Sequence, residues 1–345
     1  MKRQKYDYIV GTGGIGKGVL FQFTDNTTLG RNESRLAELT ETRDFCKLHI
    51  ILHYIAAYTE MRVPIYAIGK IGNDNSGEEI LRLMKGRGID CTYVSTDDSS
   101  RTMYSVCFLY PDSDGGNITS KNSASGKMKK SEIDRFFLQE LPPGRGIALA
   151  APEVPLEVRE ELLLKGREHH CYNVASFTSD EMGEAVARHI FAHVDLLAVN
   201  LDEMKSLAEA VEEGRKNKPQ ECYEYLKSQN PEIEFIVTQG GEGAQLFGRN
   251  GSERIPAIWK PVNSTAGAGD CFLATIVSGL IYGVPLMEND SKVGLGGLAA
   301  LASSIKVTCR DTIDFSLDRA RLRNEAHKMG ILFSDKVNRL FLDRK

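Results

Sequence analysis

No apolar run in the sequence reaches about eighteen residues, so no membrane-spanning helix is expected. No C-x-x-C pair occurs either. The seven cysteines, at 46, 91, 107, 171, 222, 271 and 309, are scattered, which excludes a zinc ribbon and suits a reducing cytoplasm. An excess of charge of one sign is missing as well: a net charge of -4 over 345 residues leaves no electrostatic footprint for nucleic acid. Repeats and low-complexity tracts are absent. Met1-Lys2-Arg3-Gln4-Lys5 leads straight into a strand pattern without the apolar stretch of a signal peptide, so a cytoplasmic location is expected.

What remains is a chain that is 41% hydrophobic, enough for a large core. Apolar runs at Tyr6 to Val10, Pro64 to Ile68, Gly146 to Ala150, Cys171 to Ala175, Val194 to Val199 and Phe235 to Thr238 alternate with helical patterns. That alternation predicts an α/β fold, with a mostly parallel sheet between two layers of helices. In such sheets ligands bind beyond the carboxyl ends of the strands. The stretches from Gly18 to about Thr42 and from Cys91 to about Ser125 break the alternation with β-rich runs and read as a small β-sheet lid. Asp112-Ser113-Asp114-Gly115-Gly116-Asn117 reads as a hairpin turn within it. The expectation is a single domain over residues 1–345.

Gly267-Ala268-Gly269-Asp270 runs directly into the apolar Cys271-Phe272-Leu273-Ala274-Thr275. Two glycines let backbone N–H groups converge where a helix begins, and a helix N-terminus attracts anions. A carboxylate at its mouth can take a proton from a nucleophile while the cradle holds the phosphate under attack. The competing reading makes Asp270 a helix N-cap. Asn200 and Glu203, three apart where a strand meets a helix, could hold hydrated magnesium or form a capping box. Thr238-Gln239-Gly240-Gly241-Glu242-Gly243 closes another strand, either as a phosphate loop or as a hairpin turn. Ser76 and Glu79 read as a capping box for the helix carrying Ile80, Leu83 and Met84.

Gly11-Thr12-Gly13-Gly14-Ile15-Gly16-Lys17-Gly18 contains G-x-G-x-x-G and nearly a nucleotide-hydrolase phosphate loop. Both motifs require a helix to follow at once, and an alternating, turn-rich stretch follows instead. Gly18 lacks the magnesium-binding hydroxyl, and no acidic residue ends a second strand at the distance that ribose binding needs. Dinucleotide binding is therefore rejected. Gly13 and Gly16 read as giving a sugar or a hinge access to the end of the first strand.

In this order and spacing, the segments resemble the ribokinase-like (PfkB) family of small-molecule kinases, from about Tyr6 to about Arg310. The resemblance implies a three-layer ribokinase-like fold and ATP-dependent phosphorylation of a hydroxyl on a sugar or sugar-like molecule. It implies Asp270 as general base and Gly267, Ala268 and Gly269 as the anion hole. Asn200 and Glu203 would organise magnesium; Thr238, Gly240 and Gly243, with the helix from Leu298 to Ser303, would line ATP. Gly72 to Gly77 and Gly88-Ile89-Asp90 match two further family elements. The lid is the surface offered for a homodimer. A nucleoside kinase of the same family and a non-catalytic ligand-binding relative are the alternatives.

The substrate end departs from the family pattern. Gly16 stands where a sugar-binding Asp is usual. Asp44-Phe45 replaces a Gly-Gly pair and His49 falls near the usual Asn, on a helix read as starting at Thr42. Asp44 and His49, with Gly13 and Gly16, are the candidate substrate contacts, and Lys47 on the helix of His49 could face the substrate as well. Phe45 is expected to exclude ribose and fructose by bulk, or with Tyr104 to stack a base. Ser264 replaces the first Asp of the family's D-T-x-G-A-G-D, beside a monovalent-cation site in many members, which puts potassium activation in doubt.

Overall fold

The computed structural model describes residues 4–112, 115–139, 141–211, 218–288 and 292–343. In chain order the N-terminal half comprises β1 (Tyr8–Thr12), β2 (Gly16–Gln22), β3 (Glu38–Leu39), β4 (Asp44–Phe45), α1 (Lys47–Thr59), β5 (Ile65–Gly72), α2 (Asn75–Gly86) and β6 (Ile89–Asp97). Then come β7 (Met103–Leu109), β8 (Gly115–Thr119), α3 (Lys130–Phe137), β9 (Gly146–Ala150), α4 (Leu156–Glu168) and β10 (Tyr172–Ala175). The remainder is α5 (Met182–Ala187), β11 (Leu196–Asn200), α6 (Leu201–Val211), α7 (Pro219–Gln229), β12 (Glu234–Thr238), β13 (Ala244–Gly248), β14 (Gly251–Ile255), α8 (Ala268–Ile281), α9 (Leu295–Lys306) and α10 (Arg319–Lys328).

Nine strands form the main sheet in the order β14-β13-β12-β11-β10-β9-β1-β5-β6. From β6 to β12 every pairing is parallel, and β13 and β14 return antiparallel at one edge. The buried strands are apolar on both faces because helices cover both. Period-two alternation divides the side chains between two cores. Ile9, Ile147, Leu149, Leu196 and Ile236 pack towards α1, α8 and α9. Val10, Ala148, Leu197, Phe235 and Val237 pack towards α3, α4, α6 and α7. α8 and α9 are apolar around nearly their whole circumference and are buried along nearly their whole length.

A second sheet, β3-β2-β7-β8 with β4 paired to β2, stands apart from the first. Its boundaries differ from the expected ones. β6 belongs to the main sheet, hydrogen-bonded to β5, so the later segment of the small sheet starts at Met103 rather than near Cys91. The hairpin turn expected at 112–117 joins β7 to β8, but its Ser113 and Asp114 lie outside the described residues. β2 follows the Gly11–Gly16 loop with no helix between, as the rejection of dinucleotide binding requires.

Two helix starts also differ. α1 begins at Lys47, not Thr42, because Asp44 and Phe45 pair with Gly18 and Lys17 of β2 as a short strand. α2 is capped by Asp74, which accepts the Gly77 amide at 2.9 Å and ties to the Thr102 hydroxyl at 2.7 Å. Glu79 instead pairs with Lys17 at 2.6 Å.

Candidate active site

Asn200 and Thr238 end adjacent parallel strands as register partners, so the segments carrying the two motifs lie side by side. α8 starts against them: a Cβ on Gly269 would lie 3.9 Å from Thr238 Oγ1. Gly267 caps α8 at φ 78°, the left-handed region, and a side chain there would strike the Thr312 carbonyl at 2.3 Å. Among the described residues, the Gly267, Gly269 and Asp270 amides meet no acceptor, whereas the Ala268 amide is taken by the Thr265 carbonyl at 3.1 Å. The open amides are therefore not those of all three residues expected to form the anion hole. The Ala268 carbonyl accepts the Ser303 hydroxyl at 2.9 Å, which ties the start of α8 to α9.

The loop after β12 is the hairpin turn that the sequence allowed, and it also lines the cleft. It turns a hairpin into β13, and its Gly240 and Gly243 take positive φ, 56° and 98°. A Cβ on Gly243 would meet the Ile255 carbonyl at 2.0 Å, so only glycine lets the loop lie flat against β14. Together with α6, α8 and α9 these strand ends enclose a cleft of about 690 Å³. One end is apolar, walled by Ile258, Trp259, Val262, Ala300 and Val307, and the other holds Lys47, Glu203 and Asp270.

Asn200 and Glu203 do form the reciprocal cap. The Asn200 amide donates to Glu203 Oε2 at 2.8 Å, and the Glu203 amide donates to Asn200 Oδ1 at 2.9 Å. That leaves Glu203 Oε1 facing the cleft, 3.6 Å from Lys47 Nζ. Among the described residues no cluster of three or more His, Cys, Asp or Glu is arranged to hold a metal alone.

Asp270 is half-buried in the first turn of α8, its pKa raised to about 6 by burial against the opposing pull of Lys47. Burial works against the Lys47 charge, but Glu203, Asp270 and Glu153 outweigh it and hold the ammonium above its ordinary range. The sequence offers Lys47 only as a residue that could face the substrate, and it gives no sign of Glu153. Glu153 follows β9 at φ 76°, burial lifts it to about 7, and its Oε2 has no hydrogen-bond partner. The strand-end rule could have found it, three residues past Ala150. Lys47, Glu203 and Asp270 thus line the cleft from three helix starts, and Glu153 lies within electrostatic reach of Lys47 and Asp270.

The substrate-end candidates fare unevenly. Asp44 is buried, accepting Ser105 Oγ at 2.9 Å and the Cys107 thiol at 3.4 Å, so it is no helix cap; burial raises its pKa. His49 is fully buried in α1 against Phe45 and His53, both ring nitrogens unpartnered and its pKa pushed down to about 3. It is a neutral core residue and not part of the cleft wall, because β4 turns the start of α1 inward. Phe45 points into the same core, edge-on to His49 and Phe315, so it neither blocks a sugar nor stacks a base. Gly13 and Gly16 are closely packed: a Cβ on Gly16 would meet the Met103 carbonyl at 2.5 Å, and one on Gly13 the Ala151 Cβ at 2.9 Å. An Asp does not fit at Gly16 on this backbone.

Residues 56–319 match the description "pfkB family carbohydrate kinase". The bifunctional protein HldE of Helicobacter pylori is 20% identical over 233 residues, covering 66% of this chain and 49% of that protein. The chain therefore spans about half the length of the curated relatives that match it first. Ribokinase from Giardia lamblia superposes with a TM-score of 0.75 at 16% identity, covering 93% of this chain and 99% of that one. A structure described as a putative ribokinase II from E. coli in complex with ATP and Mg2+ gives 0.71 at 14%, covering 93% and 99%. These likenesses establish a ribokinase-like α/β fold, and the family match adds the class of chemistry: this chain belongs to the pfkB family of carbohydrate kinases.

Proposed function

We propose that this chain transfers the terminal phosphoryl group of ATP to a hydroxyl of a sugar or sugar-like molecule, with Asp270 as general base. The observation that carries the reading is the position of Asp270. A carboxylate tuned to about 6 sits in the same helix turn as the open Gly269 and Asp270 amides. A base near that value is ionised at neutral pH yet basic enough to accept a hydroxyl proton as attack proceeds.

ATP lies along the Thr238–Gly243 loop, with its base in the apolar end of the cleft near Ala300 and Ser303. The Gly269 and Asp270 amides receive the transferring phosphoryl oxygens, and Lys47 faces them from α1. Magnesium fits the Glu203 side, because it keeps several waters and needs only one or two carboxylates beside phosphate oxygens. When bound, it neutralises phosphate charge. Glu203 Oε1 orients that hydrated ion, and Asn200 holds Glu203 in place through the cap. The acceptor occupies the floor between Asp270, Glu153 and Asp44, with Oε2 of Glu153 free to accept a hydroxyl.

The test is ADP release in the presence of a panel of sugars and nucleosides, one compound at a time. Stimulation by a sugar-like compound supports the reading; no stimulation by any compound together with tight ligand binding supports a non-catalytic relative. Glu203→Gln should raise the magnesium concentration for half-maximal rate by about tenfold or more. An unaltered magnesium dependence leaves Glu203 with its helix cap alone. Asp44→Ala should weaken apparent affinity for the acceptor by roughly ten- to a hundredfold, the cost of one hydrogen bond to a charged group. Affinity for ATP should hardly move, and unchanged acceptor affinity would reduce Asp44 to a strut between β4 and β7.

A further inference from the structure

One charged group near the cleft has no part in that chemistry. Lys306, the last residue of α9, is fully buried. Among the described residues its ammonium has one hydrogen-bond acceptor, the backbone carbonyl of Ser264 at 3.3 Å, and no carboxylate close enough to pair with it. A buried cation without a paired carboxylate costs several kcal/mol in general, so a chain that keeps one has a use for it or an offset nearby. Part of the offset is the C-terminal end of α9, where the helix dipole favours positive charge.

The surroundings indicate the use. Ser264 opens the segment that ends in Gly267-Ala268-Gly269-Asp270. That segment is laced to the end of α9: the Asn263 and Ser264 amides donate to the Val307 carbonyl at 2.7 and 3.1 Å, and Asn263 Nδ2 donates to the Thr308 carbonyl at 2.7 Å. One helical turn before Lys306, Ser303 holds the Ala268 carbonyl. Lys306 therefore lies against the segment that leads to the open amides, and it does not line the cleft. Its charge reaches Asp270 and Asp44, favouring the ionised form of both. Burial lowers the pKa of Lys306 itself, while Cys309, Cys271, Asp270 and Asp314 favour its charged form.

The resemblance implies a monovalent-cation site beside Ser264, and the residues present do not fit one. The expected Asp is a serine whose hydroxyl accepts the Ala266 amide at 3.3 Å, and the Ser264 carbonyl is already engaged by Lys306. We propose that the Lys306 ammonium is a built-in monovalent cation, holding the Ser264–Gly267 segment in register so that the chain works without potassium. Lys306 is a positioning residue: it acts through that segment and Asp270, and touches neither acceptor nor nucleotide. The rate arm of its test rests on the kinase reading, whereas the stability arm does not.

The experiment compares the wild type, Lys306→Ala and Lys306→Met in potassium, ammonium and tetramethylammonium chloride at equal ionic strength. Both melting temperature and initial rate are recorded. The wild type should show the same rate within about twofold, and the same melting temperature, in all three salts. Lys306→Ala should lose about ten- to a hundredfold in rate in tetramethylammonium, less than the roughly hundred- to thousandfold for a donor that itself meets the developing charge. Potassium or ammonium should restore part of that rate saturably and raise the melting temperature, because an ion that binds only the folded state stabilises it. Lys306→Met keeps the packing of the stem and loses only the charge, so it should show the rate loss with little rescue. Potassium activation or stabilisation of the wild type overturns the proposal, and so does a Lys306→Met enzyme with wild-type rate. If no acceptor is ever phosphorylated, the kinase reading fails, and the melting temperatures still decide the role of Lys306.

Discussion

Asp270→Asn should lower turnover by about two to four orders of magnitude, the range for a positioned acid–base group, while leaving ATP binding nearly unchanged. Trp259 reports the binding: it is the chain's single tryptophan, exposed at the apolar end of the cleft, so its fluorescence should respond to ATP equally in both proteins. Turnover within threefold of the wild type would remove Asp270 from its role. The same substitution carries a stability signature. Burial lifts the folded pKa to about 6, above the roughly 3.9 of an unfolded Asp. A carboxyl raised in this way adds stability below about pH 4, and that contribution is lost as pH rises through about 6. At pH 8 the ionised side chain is a net cost to the fold, about 1–2 kcal/mol after allowance for its partial exposure. Asp270→Asn should therefore melt at or above the wild-type temperature at pH 8, with the difference shrinking towards pH 5. A variant that is less active but more stable is the mark of a functional charge.

Lys47→Met should cost about a hundredfold in turnover or more, comparable to removing one donor aimed at developing charge. Lys47 is the cation that Glu203, Asp270 and Glu153 share. Without it the Asp270 carboxylate loses its largest favourable interaction, so its pKa rises. In the wild type the acid limb of kcat/KM should fall near pH 6, because a protonated Asp270 cannot accept the hydroxyl proton. In Lys47→Met that limb should move to higher pH, and a rate measured only at neutral pH would overstate the loss. A pH–rate profile of unchanged shape and position in the variant would show that Lys47 is a surface partner of Glu203 and nothing more.

Much of this site was legible from residue order because it is built from backbone. Gly267 and Gly243 take positive φ with carbonyls where a Cβ would sit. Thr238 and Asn200 end buried parallel strands, whose continuous apolar runs are the plainest pattern in the chain. Such requirements leave glycines and strand ends at fixed spacing. Charge pairing across the fold leaves no spacing at all. Lys47 meets Glu203 only because α1 and α6 converge at the sheet's carboxyl edge, and Lys306 reads simply as a base in the last turn of a helix. Glu153 follows β9 without any motif around it. The errors at Phe45 and His49 share one cause: β4 pairs with β2 and delays α1 until Lys47, so side chains expected to face a sugar enter the core. A two-residue strand carries too little pattern to be read from sequence.

The most direct test is the mass of the acceptor after incubation with magnesium and ATP, wild type beside Asp270→Asn, across the sugar and nucleoside panel. The expected result is one sugar-like compound made heavier by a single phosphoryl group by the wild type, with almost none formed by Asp270→Asn over the same time. Equal phosphorylation by both proteins, or ATP consumed with no acceptor gaining mass, would contradict phosphoryl transfer through Asp270.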